Sequence, residues 1–278
     1  MQARPASETR PIGVFDSGVG GLSIVREIRR RLPHETVLYF ADQAHVPYGT
    51  RTKDEVRDFS RAILRFLLSQ AAKVSVIACN TASAAALHSL RQEFPDHAIV
   101  GMEPAVKPAA ESTRTRRVGV LATPATFQGE LFASVVERFA RGVEVIENTA
   151  PGLVERIEAG DLDGPATRAI IEAALKPILA RGADTLVLGC THDPFVIPLL
   201  AEVAGPSLKI IDPAPAIARQ TGRVLAARGL EAPDSRPGEL TLLTSGDPGR
   251  LAALAPRLIG ESPSVRQARW TVGKLGIE

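Results

Sequence analysis

Two cysteines are the residues of this chain best suited to proton-transfer or nucleophilic chemistry, and each opens a short polar cluster. Cys79 is followed by Asn80 and Thr81, and Cys190 by Thr191 and His192. Each cluster follows an apolar run, at 74–78 and at 185–188. A helical pattern over 82–90 would place Cys79 at the positive end of a helix dipole, an environment that lowers a thiol pKa. Asn80 and Thr81 supply side-chain donors and backbone N–H groups suited to a carboxylate. His192 lies two residues past Cys190 and faces the same side if the chain there is extended, where it tunes the thiol or relays its proton. Either cysteine alone reads equally well as a small buried residue with ordinary caps beside it. The repeated arrangement favours chemistry.

Three further sets surround these. Asp16-Ser17-Gly18-Val19-Gly20-Gly21 follows the first apolar run, and its glycines permit close backbone approach to a ligand. Asp16 is placed to hold a substrate ammonium or to accept a proton from Cys79; its bland role is to cap the turn. The glycine spacing fails the dinucleotide fingerprint, and no Gly-Lys-Ser/Thr of a P-loop occurs. Pro47-Tyr48-Gly49 forms a loop in which Tyr48 and the Gly49 backbone could close over a small ligand. Glu158, within a helical stretch at 152–159, is a second carboxylate expected near Cys190. With two distant cysteines and five histidines there is no zinc-like spacing, so no metal is expected. No lysine sits in these clusters to anchor a pyridoxal group, so no cofactor is expected either.

The elements that must position these residues alternate in type. Short apolar runs at 12–15, 36–40, 74–78, 98–101, 118–121, 143–146, 185–188, 208–211 and 240–243 read as strands. Stretches at 54–70, 126–140, 166–180 and 215–227 read as helices. This alternation predicts an α/β fold with mostly parallel sheets. An internal repeat sharpens the prediction. The segment from Ile12 resembles that from Val118, and the segment from Val74 resembles that from Thr185, at offsets of 106 and 111 residues. A duplicated, pseudo-symmetric pair of α/β domains is therefore expected, 1–103 plus 213–278 carrying Cys79 and 104–212 carrying Cys190. Ligands bind beyond the carboxyl ends of parallel strands, so the active site is expected in the cleft between the halves, with the cysteines approaching from opposite sides.

Composition narrows the class. Of 278 residues, 45% are hydrophobic and 23% charged, enough to build a core, with a net charge of only +2. There is no basic stripe interleaved with aromatics, so nucleic acid is not expected as the main partner. Residues 1–10 lack the apolar core of a signal peptide, and no run of about 20 apolar residues follows, so neither export nor membrane insertion is expected. The expected location is the cytoplasm, where both thiols stay reduced. The assembly is left open, a homodimer included.

Taken together, Asp16-Ser17-Gly-Val-Gly-Gly-Leu, Pro47-Tyr48-Gly49, Ala78-Cys79-Asn80-Thr81-Ala82-Ser83 and Gly189-Cys190-Thr191-His192 resemble the ordered signature set of the glutamate racemases, within the aspartate/glutamate racemase family. The resemblance runs from about Ile12 to the strand near Leu243. It implies cofactor-independent interconversion of L- and D-glutamate, supplying D-glutamate for peptidoglycan and the cell wall. It implies Cys79 and Cys190 as the catalytic pair, assisted by Asp16, Glu158 and His192. It implies substrate contacts at Asp16, Ser17, Tyr48, Gly49, Asn80, Thr81, Thr191 and His192. One thiol would remove the α-proton from one face while the other delivers a proton to the opposite face. The chain departs from the family's pattern at Asp193, where an aromatic residue is usual, and at Gly129 and Phe132 in a threonine-rich segment. Rival readings are a racemase for aspartate or another acidic amino acid, a decarboxylase or isomerase using one cysteine, and a non-catalytic binder of acidic ligands.

Overall fold

A computed structural model describes residues 9–277; residues 1–8, part of the segment read above for a signal peptide, lie outside the described residues. The first half runs β1 (Ile12–Asp16), α1 (Leu22–Arg31), β2 (Val37–Ala41), α2 (Lys53–Ser69), β3 (Val74–Ile77), α3 (Asn80–Glu93) and β4 (Ile99–Val100). The chain continues through α4 (Val106–Ser112), β5 (Arg117–Ala122), α5 (Pro124–Phe127), α6 (Glu130–Phe139) and β6 (Glu144–Asn148). Next come α7 (Leu153–Glu158), α8 (Pro165–Ala180), β7 (Thr185–Gly189), α9 (Ile197–Ala204) and β8 (Lys209–Ile211). Finally α10 (Ala214–Arg228), β9 (Leu240–Thr244) and α11 (Pro248–Ile259) lead to a hairpin of β10 (Ser264–Thr271) and β11 (Lys274–Ile277).

Local chemistry explains the elements. Strands β1, β3 and β7 are apolar-rich and buried at every position, as strands covered by helices on both faces must be. Helix α2 opens with a capping box in which Thr52 and Glu55 satisfy each other's backbone N–H groups. It buries Val56, Ile63, Leu64 and Leu67, while Arg61 and Arg65 pair with Glu93 at the surface.

The strands form two sheets, a seven-stranded one ordered β11-β10-β9-β2-β1-β3-β4 and a four-stranded one ordered β6-β5-β7-β8. All pairings are parallel except β10 with β11. The order β2-β1-β3-β4 recurs as β6-β5-β7-β8, which is the duplication expected from the repeat. The register recurs too: Ile12 lies opposite Val74, and Val118 opposite Thr185, the same four residues that begin the repeated segments.

Side-chain alternation then sorts the core. Ile12 and Val14 of β1 join Leu121, Leu186 and Leu188 of the other sheet in one cluster that spans both halves. The opposite faces pack separately, around Phe15, Phe40 and Leu64 in one half and Val118, Val120 and Phe132 in the other.

Helices α1, α4, α9 and α11 lie outside the helical stretches read above, and two further features differ from that pattern. The stretch at 126–140 is not one helix, because the chain turns at Gln128 and Gly129. A Cβ at position 129 would sit 2.9 Å from the Ala84 Cβ of α3, a close approach that glycine permits. The hairpin of β10 and β11 was not anticipated. Its residues are mostly exposed or half-buried and rich in Arg, Gln and Lys, so no apolar run marks it.

Candidate active site

In each half the two central strands are neighbours, and their carboxyl ends project into the same region. After β1 and β3 come Asp16 and Cys79, held in step by the Ala78 N–H donating to the Phe15 carbonyl at 2.8 Å. After β5 and β7 come Thr123 and Cys190, following the paired Ala122 and Gly189. These are the points where strand order reverses, the usual place for a ligand in such sheets. Cys79 and Cys190 line one cavity of about 20 Å³, with Ser17, Asn80, Thr81, Thr191 and His192 also on its wall. That is room for about one water.

Cys79 caps α3, its sulfur accepting the Ala82 N–H at 3.5 Å. The expected lowering of its pKa does not follow. Burial pushes the thiol well up, the negative charge of Asp16 adds to this, and the helix amide opposes both without prevailing. A single N–H to sulfur is outweighed by the loss of water around a thiolate and by the nearby carboxylate. Asp16 is fully buried and accepts the Gly21 N–H at 2.8 Å. Burial raises its pKa too, against the pull of His192 and a hydrogen bond from Cys79.

Around Cys190 the backbone is not extended as assumed above. It turns, with His192 in right-handed helical geometry, and this turn is what places His192 Nδ1 3.7 Å from the sulfur. His192 Nε2 lies 2.8 Å from Glu158 Oε1. Burial alone would favour the neutral ring, but the contacts with Cys190 and Glu158 outweigh it and hold the imidazolium well above the usual range. Glu158 is itself held ionised: the penalty of burial is outweighed by His192, by Gln43 at 2.9 Å and by the Val19 N–H at 2.6 Å. Glu158 thus reaches Cys190 through His192 rather than directly. Burial and the charge of Asp193 raise the Cys190 pKa, and His192 counters them.

The glycine loop after β1 fits this arrangement closely. A Cβ on Gly18 would overlap Glu158 Oε1, and one on Gly20 would overlap His192 Nδ1, so any side chain there would displace the acid–base pair. Thr191 donates to Asp16 Oδ2 at 3.5 Å, and its carbonyl accepts from Ser23 at 2.9 Å.

The remaining expected residues divide. Asn80 is buried on the cavity wall, and neither its amide oxygen nor its amide nitrogen has a hydrogen-bond partner among the described residues. Buried polar atoms are rarely left so, and a pair of them at a cavity marks a place for a polar ligand. Thr81 Oγ1 is 2.9 Å from Thr123 Oγ1, which links the halves. Ser17 lines the cavity and donates weakly to Asp16 at 3.4 Å. Tyr48 also lines it, but its hydroxyl is engaged, donating to Asp42 Oδ2 at 2.6 Å. Gly49 lies outside this cavity, on an adjoining cleft of about 200 Å³ that Cys190 also lines.

Three participants were missed. Thr123 occupies the position in the repeat that Ser17 holds in the first half, so the repeat itself could have found it. Gln43 and Asp42 lie in a polar loop where nothing in the pattern singles them out. Among the described residues there is no group of three or more His, Cys, Asp or Glu placed to hold a metal ion. Among them, too, no helix is long and apolar enough to cross a membrane.

Comparison with known proteins agrees with this geometry. Residues 14–221 match the family model for Asp/Glu/Hydantoin racemase. A glutamate racemase of Pseudomonas aeruginosa is 53% identical over 260 residues, covering 94% of this chain and 98% of that protein. Among solved structures, glutamate racemase from Francisella tularensis in complex with D-glutamate superposes with a TM-score of 0.82 at 28% identity, covering 94% of this chain and 97% of that one. Escherichia coli glutamate racemase, in complex with L-glutamate and the activator UDP-MurNAc-Ala, gives 0.81 at 31% identity, covering 97% and 99%. On the sequence match and the shared architecture together, this chain belongs to the Asp/Glu/Hydantoin racemase family.

Proposed function

We propose that this chain is a glutamate racemase that interconverts L- and D-glutamate with two thiols and no cofactor. The observation that carries the reading is that Cys79 and Cys190 hold equivalent places in the two halves and line one cavity. Relatives of the same fold bind each enantiomer, D-glutamate in one structure and L-glutamate in another.

In the forward step one cysteine, as thiolate, takes the α-proton. The electron pair left on the α-carbon passes into the carboxylate as an enediolate-like charge. The second cysteine, as thiol, delivers its proton to the opposite face, and the reverse reaction exchanges the roles. Asp16 is the acceptor for the Cys79 proton, and the His192 imidazolium stabilises the Cys190 thiolate while Glu158 fixes that ring. Asn80, Thr81 and Thr191 hold the substrate, their donors aimed at the α-carboxylate where charge develops. Ser17, Tyr48 and Gly49 complete the enclosure. Both thiols are disfavoured as thiolates in the buried pocket, and a substrate ammonium entering it supplies the positive charge that offsets this.

The division of labour follows domains at 1–103 plus 213–278 and 104–212, each bringing one thiol. A cytoplasmic setting keeps both thiols reduced, and D-glutamate made there is available for peptidoglycan synthesis. The test is to incubate the purified protein with L-glutamate alone and follow optical rotation. Decay to zero supports the reading; no decay with glutamate, but decay with aspartate, would assign the activity to the smaller acid.

A further inference from the structure

One carboxyl beside the thiols has no part in the scheme above. Asp193 follows His192 in the turn after β7, and its N–H donates to the Cys190 carbonyl at 3.3 Å. The residue is only 4% exposed. Its side chain and Cys190 line the same cleft of about 200 Å³, whose other walls include the apolar Leu121, Pro124, Leu153 and Val154.

Other buried carboxylates here are well supported. Asp42 accepts hydrogen bonds from Tyr48, Ser245 and Trp270, and Glu158 accepts from Val19 and Gln43. No hydrogen bond or ion pair to the Asp193 carboxyl occurs among the described residues, and its oxygens open onto the cleft. A buried carboxyl without such partners is costly to ionise. Burial pushes Asp193 up to about 7, with His192 pulling the other way. Its charge therefore changes near neutral pH, beside the one thiol that shares its cleft.

We propose that Asp193 is a positioning residue for proton transfer at Cys190, a carboxyl that when neutral admits the Cys190 thiolate and when ionised holds Cys190 as the thiol. The groups that face this pair are few. His192 on the same turn favours the thiolate. Glu155 of α7 lines the same cleft and Cys79 shares the inner cavity with Cys190, while Glu158 and Asp16 reach the pair only through His192 and Thr191. Glu158 is already paired with His192, so Asp193 is the unpaired carboxyl free to alter the balance.

The proposal rests on Cys190 being one of the two acting thiols, but its test reads the thiol rather than turnover. In a Cys79→Ser variant Cys190 is the sole cysteine. Its labelling by iodoacetamide is followed from about pH 5 to about pH 10. With Asp193 present, the logarithm of the rate is expected to climb with pH in two steps, separated by a flattening as the carboxyl ionises at about 7. Asp193→Asn should give a single step with its midpoint about one unit lower, so that labelling at about pH 8 is roughly tenfold faster. Asp193→Glu should restore the two-step curve. A single step with Asp193 intact, or an Asn variant with an unmoved midpoint, would overturn the proposal. The intact curve decides even if the Asn variant fails to fold. Labelling as described in a protein that does not racemise glutamate would defeat the proposed function and leave this pairing standing.

Discussion

Glu158 Oε1 lies 2.8 Å from His192 Nε2 and 2.6 Å from the Val19 N–H, so one oxygen ties the second half's imidazole to the first half's glycine loop. The carboxylate thus supplies both a charge and an anchor. Glu158→Gln keeps the shape and removes the charge. His192 then loses its proton at lower pH, and Cys190 loses cationic support earlier. The alkaline limb of the kcat/KM profile should move to lower pH, with the rate at neutral pH falling on the order of tenfold or more. A profile unchanged in position would mean that Glu158 only fixes geometry.

Each thiol should be indispensable. General acid or base groups contribute roughly 10²–10⁴-fold to a rate. Cys79→Ser and Cys190→Ser should each lower racemisation by about that factor, in both directions, since a hydroxyl is a far weaker acid. Coupled assays for D- and L-glutamate check this, and near-normal turnover in either variant would remove that cysteine from the mechanism.

Asn80 offers a separation of binding from folding. Its buried amide has no partner to lose among the described residues. Asn80→Ala should therefore leave the melting temperature unchanged or slightly raised. An unmade hydrogen bond to a charged ligand group costs about 1.5–3 kcal/mol, so kcat/KM should fall by roughly tenfold to a hundredfold. Thermal melts beside steady-state kinetics read both effects.

Asp193 makes stability depend on pH in a stated direction. Its carboxyl ionises near 4 when unfolded but only at about 7 when folded. Between those values the unfolded chain binds fewer protons, so stability falls as pH rises through this window and then levels off. The difference amounts to up to about 4 kcal/mol. Asp193→Asn should thus gain melting temperature over the native chain at about pH 8 and lose that advantage near about pH 4. An equal gain at both pH values would point to packing instead.

Much of this was legible because the chain repeats itself. The matched segments at Ile12 and Val118, and at Val74 and Thr185, revealed the duplication and put each cysteine at a strand end, whereas the strand order came only with the structure. Apolar runs marked the nine strands from β1 to β9, most plainly β1, β3 and β7, which are buried at every position, and more weakly β6 and β8, which expose Glu144, Glu147 and Lys209. The hairpin of β10 and β11 carries its one buried residue, Ala268, among arginines and glutamine, too faint a signal to read. Thiol acidity was misjudged for a physical reason: the dipole at Cys79 is local and visible in the motif, whereas its burial and the approach of Asp16 come from tertiary packing. Likewise, the bond of Glu158 to His192 joins residues from separate elements, and Gln43 enters from the other half.

In the proposed reaction two thiols act on opposite faces of one α-carbon. The most direct measurement is the early time course in D2O, starting from protonated L-glutamate and, separately, from the D form. NMR reads the α-position of the substrate and product pools after their separation by enantiomer. Two thiols predict that product carries deuterium from its first appearance while unreacted substrate keeps its protium, whichever enantiomer is supplied. Deuterium appearing equally in both pools, or protium carried over into product, would show one base serving both faces and contradict the account.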